Sequence, residues 1–340
     1  MAVTSSRGGV VFTLVALVLV AYLLASERVV QNSAADAAAQ AAIARTRVGV
    51  LDAYLVSFEE HASASLGAAG YLALSNLSGS VRENGTYVDR INSTLARCIL
   101  QNRIAVGGAE LPCLPDAALL NVSLDRLAGI GEQELGVGTR YALHNVTVTE
   151  ERPFEVVFAL EVSYNITDLF GSFTVVRRNI TARVDVTGLE DPVYARMLRE
   201  GDISTSRAFR QTDLLRFEIN ATTFPLIYDN STYVTYEGES PSVLDRYQGL
   251  LDSESPCCGI ESVVRRDTLV TPTGSFVNYS LVDHHLARHL AGSLPAYRCT
   301  DGEVRSMPAP SGGGTIVVET VRFDNLYNLS GSQAADCTWS

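Results

Sequence analysis

FEVVFALEVSY, residues 154–164, alternates along its whole length. Phe154, Val156, Phe158, Leu160, Val162 and Tyr164 fall on one side of an extended chain, and Glu155, Glu161 and Ser163 on the other. A period of two predicts a half-buried strand. The following stretch, SFTVVRRNITARVDVTG (172–188), repeats the pattern with Val176, Ile180, Val184 and Val186 inward and Arg177, Asn179, Thr181, Arg183 and Asp185 outward. With RYALHNVTVTEE (140–151) ahead of them, these segments predict an antiparallel meander with one face covered and one solvated.

The cover comes from the N-terminal side. Val30, Ala34, Ala37, Ala41, Ala44, Val48, Leu51, Leu55 and Phe58 recur at steps of four and three, the seam of a long helix packed along its length. From Val48 onward this seam is expected on the protein's own head. Its Ala-rich first half emerges from an apolar run and is open to a partner helix. No proline precedes Pro112, and Gly49 weakens the helix by about 1 kcal/mol without breaking it. Residues 87–135 predict two or three amphipathic helices, interrupted at GGAELPCLPD (107–116). Beyond a turn at GLEDP (188–192), LLRFEINATTF (214–224) and TIVVETVRFDN (315–325) read as strands. SPSVLDRYQGLL (240–251) and SLVDHHLARHLAG (280–292) read as helices, and APSGGGT (309–315) as a surface loop. The fold class is α+β: residues 1–26 a signal or transmembrane segment, 27–75 a stalk helix, 76–340 a head, with a boundary near residue 190 as an alternative.

Residues 8–25 carry no charge and would span about 27 Å as a helix, close to a bilayer core. Arg7 before the run favours the N-terminus inside and the rest of the chain outside. A cleavable signal is the rival, but the run is long for one and Leu23 occupies a position where a small residue is expected. The sequon Asn-x-Ser/Thr occurs at Asn76, Asn84, Asn92, Asn121, Asn145, Asn165, Asn179, Asn220, Asn230, Asn278 and Asn328, using 11 of the 14 asparagines. Chance would place about two, so the enrichment points to N-linked glycans and an extracytoplasmic chain. Sequons at Asn165 and Asn179 fall on the polar face of their strands, and none precedes Asn76.

Six cysteines, Cys98, Cys113, Cys257, Cys258, Cys299 and Cys337, lie beyond the apolar run and read as disulfides in an oxidising compartment. Cys98 with Cys113 closes a short loop. Adjacent Cys257 and Cys258 are expected to serve two different partners, leaving Cys299 and Cys337. The spacing lacks a Cys-x-x-Cys pair, which argues against zinc.

A formal net charge of −12 disfavours nucleic acid as a partner. All 26 basic residues are arginine, so no P-loop or Schiff-base lysine exists. His285 and His289 sit i, i+4 on the expected helix, a weak metal pair without a third ligand; His61 and His144 are isolated. The carboxylate pairs Glu59/Glu60 and Glu190/Asp191 read as solvated. No nucleophile elbow, dinucleotide fingerprint, calcium loop or Asp-x-Asp pair occurs, so neither a cofactor nor a catalytic residue is expected.

RGGVVFTLVAL (7–17) resembles the class III signal of archaeal type IV pilin-like proteins, a basic n-region followed by an apolar helix. The resemblance implies cleavage after Gly8 or Gly9, and a mature helix that forms a filament core with sister subunits. It covers residues 1–60 and departs at Thr13, where many pilins carry glutamate, and in chain length. The expectation is therefore a non-enzymatic, single-pass surface glycoprotein, pilin-like or adhesin-like, with the lipid bilayer and sister subunits as partners. A signal-anchored hydrolase or glycosyltransferase is the alternative.

Overall fold

The computed structural model describes residues 7–106, 109–214 and most of 218–264, with Thr268, Val270 and four short strands beyond. At 7–16, 29–36, 105–106, 109 and 224–225 and in those four strands only the backbone is described. One helix, α1 (Arg7–Asn84), occupies 78 residues, roughly 117 Å at 1.5 Å per residue. It runs through residue 75, where the stalk was expected to end, and stops at Gly85. Gly85 takes φ +72° and donates its N–H to Val81 O. A left-handed residue at this position suits glycine, which has no Cβ to clash.

The head forms around the C-terminal half of α1. Leu51, Tyr54, Phe58, Ala62, Leu66, Ala69, Ala73, Leu74, Leu77 and Val81 are all buried. They face a three-stranded antiparallel sheet, order β3-β4-β5: β3 (Gly138–Arg152), β4 (Glu155–Thr167) and β5 (Ser172–Asp185). All six apolar residues expected inward on β4 are buried. On β5, Ile180, Val184 and Val186 are buried as expected, but Val176 is 74% exposed. The reason is a bulge: the pairing steps from Val162↔Arg178 to Tyr164↔Val175, so β5 carries one extra residue there. One inserted residue flips the alternation, and Phe173 and Val175 pack on the core in place of Val176. A second bulge on β3 leaves His144 without a partner across the ladder.

The remaining elements close the core. α2 (Ile91–Gln101) and α3 (Leu120–Ile130) flank a small hairpin, β1 (Ile104–Val106) with β2 (Ala109–Leu111). Cys98 is bonded to Cys113 across it. Asp191 caps α4 (Pro192–Glu200) by accepting from Val193 N, and Ser242 and Asp245 form a capping box on α6 (Val243–Gln248). One apolar cluster runs from Leu51 to Val264.

Several expectations past residue 190 change. The described part of 214–224 holds no strand, and Phe224 opens the helix α5 (Phe224–Asn230). Leu281–Val282 pairs as a strand with Val263–Val264, where a helix was expected; the helix would have left the edge of Val263–Val264 unpaired. The rest of 283–292, including His285 and His289, lies outside the described residues, as do 309–314. Residues 315–319 form a strand as expected. Cys257 bonds to Cys258 rather than to separate partners: the two share one turn, Cα–Cα 3.8 Å, with Cys258 fully buried. Cys299 and Cys337 lie outside the described residues.

Candidate functional site

Among the described residues, nothing packs against residues 17–25 of α1, the segment that precedes the head. Leu17, Val18, Leu19, Val20, Tyr22, Leu23 and Leu24 are all exposed, from 52% at Val20 to 72% at Tyr22. Eight consecutive helical positions cover more than two turns, so the apolar surface points in every direction. A helix apolar all round is a buried helix in search of its surroundings. Among the described residues no helix is long and apolar enough to cross a membrane. The run 8–25 is described with its side chains only from Leu17.

Of the seam residues, Val30 and Ala34 lie where only the backbone is described. Ala37 and Ala41 are exposed, Ala44 is half-buried, and Leu51, Leu55 and Phe58 turn into the head. Val48, expected on the head, is 49% exposed. The head begins one residue earlier on a different face, at Arg47. Its Nε donates to Asp168 Oδ2 at 3.0 Å and its Nη2 to Leu135 O at 3.1 Å. Asp168 Oδ1 in turn accepts from Phe170 N and Gly171 N, which shapes the β4–β5 turn. These backbone bonds, with Arg47 beside them, hold the Asp168 carboxyl below its usual range. Leu169 and Phe170 on this turn, and Leu135 opposite, are exposed around the exit of the stalk. Residue-by-residue reading missed the Arg47–Asp168 pair because nothing local links positions so far apart.

The sequon asparagines sort cleanly. Asn76, Asn84, Asn92, Asn121, Asn145, Asn179 and Asn230 are exposed and Asn165 is half-buried; Asn220, Asn278 and Asn328 lie outside the described residues. Asn76 and Asn84 lie on the last turns of α1, so the helix is not bare of sequons throughout. Ser78, the hydroxyl of the Asn76 sequon, is buried against Glu190 O and Tyr247 Oη.

The groups weighed for chemistry are absorbed by structure. Asp191, read as solvated, is fully buried and serves as a hub. It caps α4, accepts from Tyr233 Oη at 2.7 Å and pairs with Arg246 Nη2 at 2.5 Å. The signal was present in the sequence, since aspartate directly before proline marks a helix start. Glu190 accepts from Ser206 Oγ and pairs with Arg82. Glu59 likewise is no free carboxylate: it accepts from Tyr164 Oη and pairs with Arg178 at 3.1 Å, while Glu60 is exposed. Burial, and then the Glu59 hydrogen bond, raise the Tyr164 phenol. His61 and His144 each bond a serine hydroxyl, Ser123 at 2.9 Å and Ser163 at 2.8 Å. Among the described residues no three His, Cys, Asp or Glu side chains are grouped to hold a metal. Glu150 is pushed up to about 7 by burial against the start of α6; the Ser242 hydrogen bond and Leu244 N–H act the other way.

No family model matches this chain, and no curated protein and no solved structure is significantly similar to it.

Proposed function

We propose that this chain is a non-enzymatic surface glycoprotein, pilin-like in plan, whose free N-terminal helix serves as membrane anchor and as contact to sister subunits. The observation that carries this reading is the division of α1. Its second half is the spine of a sheet-bearing head, and the described part of its apolar run, from Leu17 to Leu24, is exposed on all sides. Leaving that surface in water costs about 25 cal/mol per Å² of apolar area. Lipid removes the cost, and so does a bundle of identical helices; the exposed Ala37 and Ala41 allow close helix approach in the second case. The abundance and exposure of the sequons support an extracellular head bearing N-linked glycans, and the Cys98–Cys113 bond suits an oxidising compartment.

Mass spectrometry of the native N-terminus tests the reading. A mature start at Gly9 or Val10 fits processing for assembly, and a start at Met1 or Ala2 fits a permanent anchor. A start at Ser26 would mean the helix is discarded and would overturn the proposal.

A further inference from the structure

Among the described residues, α1 packs along one face of the sheet, and on the other the stretch around Asn145, Asn165 and Asn179 lies outside the core. There the three sequon asparagines lie close together. Asn145 on β3 and Asn179 on β5 are both paired with Glu161 on the central strand, forming one row across the sheet. Two strand spacings put them about 10 Å apart. Asn165 is on the same face of β4, two rows on, about 13 Å along the strand. It lines a trough of about 580 Å³ with Arg140, His144, Ser163, Thr174 and Val176. The Oδ1 of Asn165 is buried and has no hydrogen-bond partner among the described residues. Such an acceptor costs stability unless a donor reaches it. Val176, turned outward by the β5 bulge, adds an exposed apolar contact beside it. The two outer asparagines also occupy the free edge strands of the sheet, where a bulky polar group opposes edge-to-edge pairing.

We propose that N-linked glycans on Asn145, Asn165 and Asn179 form the second cover of this sheet, a carbohydrate layer seated in the trough opposite α1. Attachment joins each Asn Nδ2 to C1 of the first sugar of a lipid-pyrophosphate-linked oligosaccharide; the pyrophosphate-lipid leaves and takes the amide proton. Sugar hydroxyls then meet the polar groups that line the trough, and the carbon-bearing ring faces lie on Val176. The inference rests on the glycoprotein reading above.

The test begins with site occupancy on the native full-length protein by peptide mass spectrometry. Amide hydrogen exchange of β3 and β5 is then compared between wild type, the triple variant Thr147→Ala/Thr167→Ala/Thr181→Ala, and the control pair Asn84→Gln/Asn121→Gln. All are produced in the glycosylating host. The triple variant keeps every asparagine; besides the three sequons it loses the long Thr147 Oγ1–Ala159 O and Thr167 Oγ1–Gly138 O hydrogen bonds, whose effect the host lacking the transferase measures alone. The expected result is occupancy at all three sites and exchange faster by about tenfold or more in the triple variant alone. In a host lacking the transferase, the difference between wild type and triple variant should shrink to the small effect of the lost threonine hydroxyls; a difference that stays as large there would overturn the proposal. Occupied sites with no difference from the control pair would overturn the proposal. Bare sheet sites beside occupied sites elsewhere would also overturn it and leave the glycoprotein reading intact. A chain bare at every sequon would sink that reading first.

Discussion

Gly67 and Gly70 stand three residues apart on α1 and both look toward the sheet. A Cβ at Gly70 would lie 2.6 Å from the Phe158 ring, whereas one at Gly67 would meet Ala182 Cβ at an ordinary 3.6 Å. The two substitutions should therefore differ in sign. Gly70→Ala is expected to destabilise the head by about 1–3 kcal/mol through overpacking. Gly67→Ala should stabilise by about 0.5–1 kcal/mol through helix propensity. Denaturant midpoints of the two variants read this directly. Asp191 makes a stronger case. It and Arg246 have no exposed side-chain surface, so Asp191→Asn removes a buried carboxylate charge that faces a buried guanidinium. A loss of about 3–5 kcal/mol is expected in the same measurement.

The joint between β3 and α6 holds a pH-sensitive group. Glu150, near the end of β3, is pushed up to about 7 by burial against the start of α6. Its usual value is 4.5, so between about pH 4.5 and 7 the folded state holds a proton that the unfolded state has released. Stability from this group is therefore full below pH 4.5 and falls as pH rises through that window. Glu150→Gln keeps an acceptor for Leu244 N and should flatten the fall. Melting temperatures of variant and wild type would then diverge between pH 4.5 and 7, the variant being the more stable at pH 7. Parallel curves would refute the assignment. The bulges show the same scale from another side: a single inserted residue in β5 moves Val176 to the outer face and brings Phe173 and Val175 in.

Taken whole, α1 divides into a part that packs in the head and a part that lies outside it. The buried stripe of α1 begins at Leu51, and no residue of 17–28 is buried. Deleting residues 1–26 should then yield a water-soluble head with an unchanged denaturation midpoint. Recovery of that variant only with membranes would count against the anchor. On the proposed reading, glycans on the outer sheet face turn that face to solvent in any assembly and leave the exposed residues of α1 as the surface for contact.

The alternation in 154–164 and the heptad steps through Phe58 determined by themselves that a long helix and a meander exist, because side-chain periodicity is a local property of backbone geometry. The Cys98–Cys113 pair was equally readable, its loop being short. Sequons are chemical text and needed no fold to be read. Only the tertiary structure decided the β5 register, since a bulge leaves no local mark. It also decided the bonding of Cys257 to its neighbour, the burial of Asp191, and the meeting of Arg47 with Asp168. These depend on which distant segments share a dielectric and a hydrogen bond. The gathering of Asn145, Asn165 and Asn179 on one face has the same cause: strand pairing, not sequence spacing, puts them within a sugar's reach.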